Sequence, residues 1–404
     1  MAAERYDVVV IGAGIIGSAL AMALAERNIR AVAVDVDLIG RLSSSEKNAG
    51  GVRATWWQPV NIRLCLASIA YYQTLAAEVG FRQKGYLWLY DDKTWDAALE
   101  RVELQRKLGH QIETLAPAQV SERVPEIDRL DGIAGATFSP RDGLINSNLL
   151  KEHYRTRARS LGAEFRDRIF VDAIDAGTSG VRIECWRADE RLSDEALVRM
   201  LGEDERGEAQ TGHVFELSAD AIVIAGGAWS KQVLKLLNLE SPSEPIRRQI
   251  SVVDNRETNF ERYGMIVDTS GVYFHNEGPH ILAGYSPPEE PPGYHFHYDG
   301  EEFFRNEIWP RMYARMSCCE RMRHVTGWAG LYSVTPDRSA IVGMARERVY
   351  EAHSFSGRGV MQSYGAAEAL AELIARGSYG ELDASTLSRD RFASGAEILE
   401  PLHI

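Results

Sequence analysis

The sequence is poor in cysteine. It has four among 404 residues, namely Cys65, Cys185, Cys318 and Cys319. These are too few and too scattered for a disulfide framework or a zinc site, both of which need paired spacings. The adjacent pair Cys318 and Cys319 lies in a predicted helical stretch and is typical of packing rather than of redox chemistry. We therefore expect no metal site and a reducing, cytoplasmic location.

Basic residues are also in deficit. The chain has 45 lysines and arginines against 58 aspartates and glutamates, which gives a formal net charge of -13. No local basic stripe offsets this excess of acid. A chain of this kind repels phosphate backbones and anionic lipid surfaces. We therefore expect no nucleic-acid partner.

Long apolar runs are missing as well. One uncharged stretch, Val8 to Ala25, reaches the lower edge of the length that spans a bilayer. Gly12, Gly14 and Gly17 interrupt it, and the residues before it are not the positive start of a signal peptide. We expect no transmembrane segment. A composition of 45% hydrophobic and 25% charged residues is typical of a globular protein, and 404 residues suffice for two domains.

A glycine-rich turn lies inside this stretch. A buried-strand pattern over 6–11 precedes Gly12-Ala13-Gly14-Ile15-Ile16-Gly17, and a helix pattern runs from Ile15 to Arg27. Gly12 can make the tight turn, and Gly14 lets a pyrophosphate approach the amides at the positive end of the helix. This arrangement predicts a dinucleotide-binding βαβ unit.

Asp35 completes the unit. It ends the second predicted strand, 30–35, and lies 23 residues after Gly12. A carboxylate at this place accepts hydrogen bonds from a ribose hydroxyl pair and repels a 2'-phosphate. The motif therefore disfavours NADP and leaves FAD and NAD open.

A second glycine cluster occurs near the carboxyl end of the sequence. Gly357, Arg358 and Gly359, followed by Val360 and Met361, open a helix pattern that runs to Arg376. The glycines permit close backbone approach. The helix N-terminus and Arg358 would stabilise the negative charge that a reduced flavin carries near its N1. Because an NAD enzyme does not need this second motif, the two clusters together predict FAD.

With these motifs the sequence resembles the D-amino-acid-oxidase-like (DAO) superfamily of FAD-dependent amine oxidoreductases, which includes glycine oxidase and sarcosine oxidase. The resemblance covers nearly the whole chain. It rests on the stretches 43–53, 85–88, 225–230, 328–331, 335–337 and 355–361. The run from 271 to 330 looks most like a mitochondrial branch of the superfamily that is linked to assembly of respiratory complex I, without a transit peptide.

The resemblance implies the fold. It implies an α/β, doubly wound, Rossmann-like FAD-binding domain joined to an α+β substrate domain with an antiparallel sheet. The FAD-binding domain would be discontinuous, over 1–80, 143–235 and 335–404, and the substrate domain would comprise 81–142 and 236–334. A charged insertion at 187–213 departs from the family pattern. It predicts either a solvated flap or a docking site for a protein partner or electron acceptor.

The resemblance also places residues around FAD. It implies that the loop from Ser43 to Gly51 wraps the pyrophosphate and the ring edge, and that Val171 meets the adenine through its backbone. Binding should be noncovalent, because Gly330 stands where monomeric sarcosine oxidases carry their flavin-linked cysteine. Besides the two glycine clusters and Asp35, the expected cofactor-binding residues are Ser43, Ser44, Ser45, Ala49, Gly50, Gly51, Val171, Ala225, Gly226, Trp229 and Gly330.

The family reaction moves a hydride from the carbon beside an amine to the flavin and produces an imine. By resemblance Arg53 lies near the flavin ring. Tyr273, His275 and Tyr332 occupy strand positions that either face the substrate or belong to the core. We therefore name Arg53, Tyr273, His275 and Tyr332 as candidate catalytic residues.

The family's usual carboxylate anchor is missing. Tyr332 stands at the position of the anchoring arginine of glycine oxidase, and Trp56 and Met361 replace the arginine and lysine of sarcosine oxidase. This pattern makes secondary or bulky amines, or amine-linked natural products, as plausible as a simple α-amino acid, unless Arg53, Arg338 or Arg358 supplies the charge. Leu282 aligns with the oxygen-activating lysine of monomeric sarcosine oxidase, which predicts slow reaction with oxygen and a quinone or carrier as the acceptor.

The leading hypothesis is therefore an FAD-dependent amine or amino-acid oxidoreductase. A flavin 2-hydroxy-acid dehydrogenase would carry the same flavin motifs. An assembly or scaffold protein could retain FAD for stability alone, with the charged insertion as its docking surface. A nicotinamide dehydrogenase is the remaining alternative.

Overall fold

The structure is a computed structural model that describes residues 4–202, 212–256 and 258–401. Its strands within these residues are β1 (Glu4–Ile11), β2 (Ala31–Asp35), β3 (Gly51–Val52), β4 (Tyr86–Tyr90), β5 (Glu113–Leu115), β6 (Gly135–Ser139), β7 (Gly143–Leu144), β8 (Glu164–Asp167), β9 (Ile169–Gly177), β10 (Gly180–Ala188), β11 (Gly212–Ile224), β12 (Glu244–Asp254), β13 (Met265–Val267), β14 (Tyr273–Glu277), β15 (His280–Tyr285), β16 (Arg323–Val334), β17 (Ile341–Arg346) and β18 (Val349–His353).

The α-helices of the described residues lie between these strands. They are α1 (Ile15–Glu26), α2 (Pro59–Thr74), α3 (Ala76–Val79), α4 (Trp95–Lys107), α5 (Pro117–Arg123), α6 (Ser147–Ser160), α7 (Asp194–Gly202), α8 (Ser230–Lys235), α9 (Gly300–Phe303), α10 (Trp309–Arg315), α11 (Gly359–Arg376) and α12 (Asp390–Ser394).

The first sheet has the strand order β17-β18-β11-β1-β2-β8, and β10 and β9 extend from β11 as an antiparallel ribbon. Strand β1 runs parallel to both β2 and β11, and β11 runs parallel to β18. The inner strands are short and rich in valine, isoleucine and alanine, as expected for parallel strands that are buried on both faces. This is the doubly wound architecture predicted from the sequence.

Helix α1 is buried on nearly its whole circumference. Eleven of its residues, from Ile15 to Ala25, are buried, which is typical of a helix enclosed by protein on all sides. It shares one hydrophobic cluster with residues of α2, α6 and α11. The uncharged stretch of the sequence is therefore one strand, one turn and one core helix. Within the described ranges, no helix combines the length and the apolar character that crossing a membrane requires.

The second sheet has the order β16-β12-β15-β14-β13-β4-β6-β5 and is mostly antiparallel. Its side chains alternate between two faces, as strand geometry requires. On β4, Leu87 and Leu89 pack on the outer cluster with residues of α5 and α10, whereas Tyr86, Trp88 and Tyr90 belong to a cluster on the opposite face. This inner face also carries Tyr273 and Ile250. The sheet thus forms an aromatic roof over the site described below. The domain bounds named from the sequence stay a prediction.

Candidate functional site

The early glycine turn lies where β1 meets β11. Gly12 has a φ of +100°, and a Cβ atom there would lie 2.5 Å from the carbonyl oxygen of Ala225. A Cβ atom at Gly17 would lie 1.9 Å from the carbonyl oxygen of Gly12. Glycine is therefore required at both positions, by a left-handed backbone at the first and by helix–strand packing at the second.

The amino end of α1 is open towards a cavity. Gly14 precedes the helix, and the amide of Ile15 donates a hydrogen bond of 2.9 Å to Ser45 Oγ. Asp35 lies beside the same turn and accepts from the amide of Ala13 at 2.6 Å and from that of Asp37 at 2.9 Å. Burial raises the pKa of Asp35 above its ordinary value. The turn, the loop and the carboxylate are thus held together by direct hydrogen bonds.

The loop that carries Ser43 to Gly51 crosses from this turn to the second sheet. Ser44 Oγ donates to the carbonyl oxygen of Leu331 on β16 at 2.5 Å. Asn48 Oδ1 accepts from the amide of Gly50 at 2.6 Å. The loop therefore connects the two sheets along one side of the site.

The late glycine cluster meets the early one. Gly357, with a φ of +89°, and Gly359 line the same cavity as Gly12 and Gly14. Helix α11 begins at Gly359 and directs its N-terminus at this cavity. The predicted residues on the wall of this first cavity are Gly12, Gly14, Ile15, Ile16, Asp35, Ser43, Ser44, Ser45, Val171, Ala225, Gly226, Trp229, Tyr332, Gly357, Gly359 and Val360.

A second, smaller cavity adjoins the first beneath the aromatic roof. The two share Asn48, Tyr332, Ser356, Gly357 and Val360 as wall residues. The predicted residues on the wall of this second cavity are Ala49, Gly50, Gly51, Arg53, Tyr273, Tyr332, Gly357, Arg358, Val360 and Met361.

Two arginines beside the second cavity are fully buried. The Arg53 guanidinium lies 3.5 Å from the ring centroid of Trp56 and 4.4 Å from that of Trp88, and Arg358 lies 4.3 Å from Trp56. Burial lowers the pKa of Arg53, and it lowers the pKa of Arg358 to about 10. A guanidinium group keeps its proton in proteins, so both side chains are cationic at neutral pH. Within the described residues, Nε and Nη2 of Arg358 have no hydrogen-bond partner.

Comparison with known proteins decides the family. Residues 7–373 match the DAO family, whose description is "FAD dependent oxidoreductase". The chain belongs to this family. The match covers most of the chain, and it confirms the resemblance that the two glycine clusters and the intervening motifs predicted.

The DAO-family chain has similar relatives over nearly its full length. It is 28% identical to FAD-dependent oxidoreductase domain-containing protein 1 of Xenopus laevis, and the match covers 98% of this chain and 84% of the relative. Among solved structures, L-proline dehydrogenase from P. horikoshii is similar with a TM-score of 0.83 at 22% identity, over 97% of this chain and 99% of the other. Glycine oxidase from Geobacillus kaustophilus has a TM-score of 0.76 at 20% identity, over 95% and 98%. These structures share the fold, so the predicted fold class is confirmed.

Three predicted site residues of this DAO-family enzyme lie away from the cavity walls. Gly17 packs against the turn. A Cβ atom at Gly330 would lie 2.7 Å from the Cβ of Lys47, so the loop covers this position. Both ring nitrogens of His275 face backbone carbonyls, at 2.7 Å from Ala49 O and 3.0 Å from Asn276 O. His275 therefore supports the loop and has no ring nitrogen directed at the cavity.

Sequence reasoning missed several wall residues of the DAO-family enzyme. Trp56, which replaces a carboxylate anchor of sarcosine oxidase, stacks on both buried arginines. Tyr86 and Met265 line the second cavity as well. The period-2 pattern of β4, which directs Tyr86, Trp88 and Tyr90 to one face, was the available signal. Phe170 and Trp186 also line the first cavity, and it is the pairing of β9 with β10 that places them there.

Proposed function

We propose that this DAO-family enzyme binds FAD noncovalently along the two connected cavities and oxidises the C–N bond of a secondary amine or N-substituted amino acid to an imine. The observation that supports this most is the continuity of the site. The early glycine turn and the late glycine-led helix share one cavity, and that cavity opens into a second one beneath the aromatic roof. When bound, FAD would supply the acceptor for a hydride removed from the carbon beside the amine nitrogen.

The residues of the first cavity fit a dinucleotide. The positive end of α1 and the hydroxyl of Ser43 suit a pyrophosphate, since the Ser44 hydroxyl already donates its proton to Leu331. Asp35 already accepts two backbone hydrogen bonds, but each carboxylate oxygen has a second lone pair for a ribose hydroxyl. Its position on the wall favours FAD over a 2'-phosphorylated dinucleotide.

At the flavin end of the site, the buried guanidinium of Arg358 fits an electron-accepting ring. It is cationic, and two of its nitrogens have no hydrogen-bond partner in the part of the chain that the structure describes. An unsatisfied buried cation costs free energy unless an acceptor occupies the neighbouring space. An electron-accepting ring with carbonyl acceptors matches that need, because added negative charge would lie next to Arg358 and the N-terminus of α11.

The second cavity suits a neutral amine. Burial raises the pKa values of Tyr273 and Tyr332, so both remain neutral phenols. Together with Trp56 and Tyr86 they form apolar walls with a few hydroxyl donors. Such walls hold a substrate in position and exclude water without providing a strong base. The hydride would leave the substrate carbon as the C=N bond forms, and the amine proton would pass to solvent.

The lining of the second cavity and the similarity to a solved structure support the proposal of a secondary amine. Tyr332, Trp56 and Met361, which replace the usual carboxylate anchors, all lie on the second cavity wall. They leave Arg53 and Arg358 as the cationic side chains on that wall. The DAO-family enzyme also shares its fold with an L-proline dehydrogenase, whose named substrate is a secondary amine.

The test is a substrate screen of the purified holoenzyme without oxygen. Loss of the flavin absorbance should follow addition of secondary amino acids or N-substituted amines. Tyr332→Phe should slow this bleaching, whereas Tyr313→Phe, which stacks on Trp309 away from both cavities, should not. Bleaching by 2-hydroxy acids alone would identify a hydroxy-acid dehydrogenase. A yellow protein that no small molecule bleaches would instead be an FAD-retaining assembly protein.

We also propose a cytoplasmic location. The four cysteines are free, and Cys65, Cys185 and Cys319 are buried, which supports a reducing compartment.

Noncovalent binding of FAD has its own test. Acid precipitation of the holoenzyme should release FAD into the supernatant. Flavin that stays in the pellet would disprove noncovalent attachment.

A further inference from the structure

The described part of the charged insertion 187–213 has a buried inner face, and residues 203–211 lie outside the described residues. Its helix α7 runs from Asp194 to Gly202 and directs Leu197 and Met200 inwards, where they are 3% and 8% exposed. Glu195 and Arg199 of the same helix are exposed. Glu195 and Arg199 therefore lie on the outer face of α7, and its apolar face is already covered by the rest of the chain.

The inner face of α7 belongs to the first cavity. Leu197 and Met200 form a hydrophobic cluster with Leu42, Phe170 and Trp186. The rings of Phe170 and Trp186 are stacked, with centroids 4.2 Å apart and planes at 11°. All five side chains line the cavity that contains Asp35 and the early glycine turn. An apolar and aromatic chamber thus adjoins the position of the expected ribose.

Ion pairs fasten the approach to α7 onto the loop after β2. Asp37 is 5% exposed and pairs with Arg191 of the insertion and with Arg41, whose Nε lies 3.0 Å away. Arg191 also pairs with Asp167 Oδ2 at 2.5 Å. Arg41 in turn pairs with Asp194 Oδ1 at 2.7 Å. Since Asp37 follows Asp35 by two residues, these pairs hold the insertion directly beside the ribose-binding carboxylate.

The other end of α7 is fixed to α8 and to the loop 286–294, which is rich in proline. Gln232 Nε2 donates to the carbonyl oxygen of Gly202 at 3.0 Å. Gly202 lies against the ring of Tyr294, and that ring stacks on Trp229 with centroids 4.4 Å apart. Trp229 is itself a wall residue of the first cavity. The insertion and the loop 286–294 therefore meet over this cavity.

We propose that residues 189–202 are an adenosine clamp, which encloses the adenosine half of FAD and sets its affinity and rate of release. This inference rests on the proposed placement of FAD. The chamber offers flat aromatic and apolar surfaces, which match a purine ring and not a phosphate or a charged partner. The clamp should therefore strengthen binding of FAD and leave binding of FMN, which lacks adenosine, unchanged.

The experiment compares two clamp variants with a matched control. Arg191→Ala removes the ion pairs with Asp37 and Asp167, and Met200→Ala removes buried apolar contact. Arg199→Ala is the matched control, because it removes the same charge as Arg191→Ala but from the exposed face of α7, where it makes none of these ion pairs. Each holoenzyme is diluted, the rise of free FAD fluorescence is timed, and the deflavinated protein is titrated with FAD and with FMN. Circular dichroism checks that each variant is folded.

Both clamp variants should release FAD about tenfold faster and bind it about tenfold more weakly. Met200→Ala loses buried apolar contact, and Arg191→Ala leaves the buried carboxylate of Asp37 without one of its two arginine partners. FMN affinity should stay within about twofold, and Arg199→Ala should match the wild type throughout. If both variants released FAD at the wild-type rate, the clamp proposal would be wrong. It would also be wrong if the variants bound FAD and FMN more weakly by the same factor. A wild-type protein that binds neither flavin would overturn the proposed function itself.

Discussion

At the scale of single residues, a buried polar network lies behind Arg53. Asp142 is fully buried and accepts from the amide of Ala54 at 3.2 Å and from Thr55 Oγ1 at 3.3 Å. His110 Nε2 lies 3.0 Å from Ser139 Oγ and 3.7 Å from Asp142 Oδ2. Burial raises the pKa of Asp142 to about 7 and lowers that of His110 to about 4. Both groups therefore favour their neutral forms in the folded state.

These two shifts predict opposite pH dependences. Above its ordinary pKa the unfolded Asp142 has lost the proton that the folded state keeps, so its contribution to the free energy of unfolding falls as pH rises, until about pH 7. Unfolded His110 binds a proton that the folded state rejects, so its contribution rises with pH from about 4 to the ordinary histidine pKa. Each slope is about 1.4 kcal/mol per pH unit, and the two nearly cancel between about pH 4.5 and 6.5.

Substitution of either residue should leave only the pH dependence of the free energy of unfolding that the other residue causes. Urea unfolding of Asp142→Asn with saturating FAD should show a free energy of unfolding that rises with pH relative to the wild type. His110→Gln should show one that falls over the same interval. Differences from the wild type that do not change with pH would mean that both groups titrate normally in the folded protein.

The residue scale also shows where sequence reasoning stops. Tyr273 and His275 are two apart on β14, so they share the inner face of the sheet, as the period-2 pattern predicts. Only Tyr273 reaches the second cavity, because the backbone of Ala49 covers His275. Periodicity predicts the face of a strand but not which loop packs on it. That loop comes from residues more than 200 positions earlier.

At the scale of elements, Glu400, near the end of the described residues, caps helix α2. Glu400 is fully buried. Its carboxylate accepts from the amides of Trp57 at 2.8 Å and Gln58 at 3.1 Å, and from Asn61 Nδ2 at 3.0 Å. Helix α2 begins at Pro59, so Glu400 satisfies amides at its positive end. Its charge also favours the cationic form of Arg358.

Glu400→Gln should therefore destabilise the protein. One amide acceptor is lost and the charge at the helix end disappears, which should lower the free energy of unfolding by about 1–3 kcal/mol. Glu397→Gln is the matched control, because Glu397 is exposed in the same segment. Urea unfolding of both variants measures the effect. Equal stability of the two variants would show that Glu400 does not cap α2.

Most elements near the site were predictable, and the exceptions have a physical reason. The predicted helix 15–27 and strands 6–11 and 30–35 are observed within one or two residues. Strand β11 is an exception, because only its last four residues, 221–224, form a continuous buried run, whereas the strand begins at Gly212. Its first half pairs with β10 outside the parallel core and carries exposed residues such as Val214. An outer ribbon of this kind lacks the apolar run that marks a buried strand.

At the scale of the whole molecule, the site lies between two sheets built from interleaved segments. Strands of the first sheet come from residues 4–35, 164–224 and 341–353, and those of the second from 86–139 and 244–334. The glycine clusters predicted a shared cofactor, and the resemblance predicted their meeting. The local sequence pattern could not predict that the two glycine clusters meet, because long-range contacts between segments leave no periodic signal. The adenosine clamp was unpredicted for the same reason.

One residue of the aromatic roof, Leu282, affects which electron acceptor the reduced flavin can use. Leu282 lies on β15, directly opposite His275 on β14, and packs with the inner-face cluster of Ile250, Met265 and Tyr273. An apolar residue at this position supplies no positive charge to stabilise superoxide. The wild-type holoenzyme, reduced without oxygen, should therefore regain its absorbance slowly when air is admitted and faster when a quinone is added.

Leu282→Lys should accelerate the return of absorbance in air by about tenfold or more. A positive charge in a site from which water is excluded stabilises superoxide enough to raise the rate by at least this factor. Leu282→Met is the matched control, because it keeps the length and the apolar character without the charge. Stopped-flow absorbance follows both variants. Reoxidation of the wild type as fast as that of Leu282→Lys would show that charge on the roof does not limit oxygen use. The chain would then act as an oxidase.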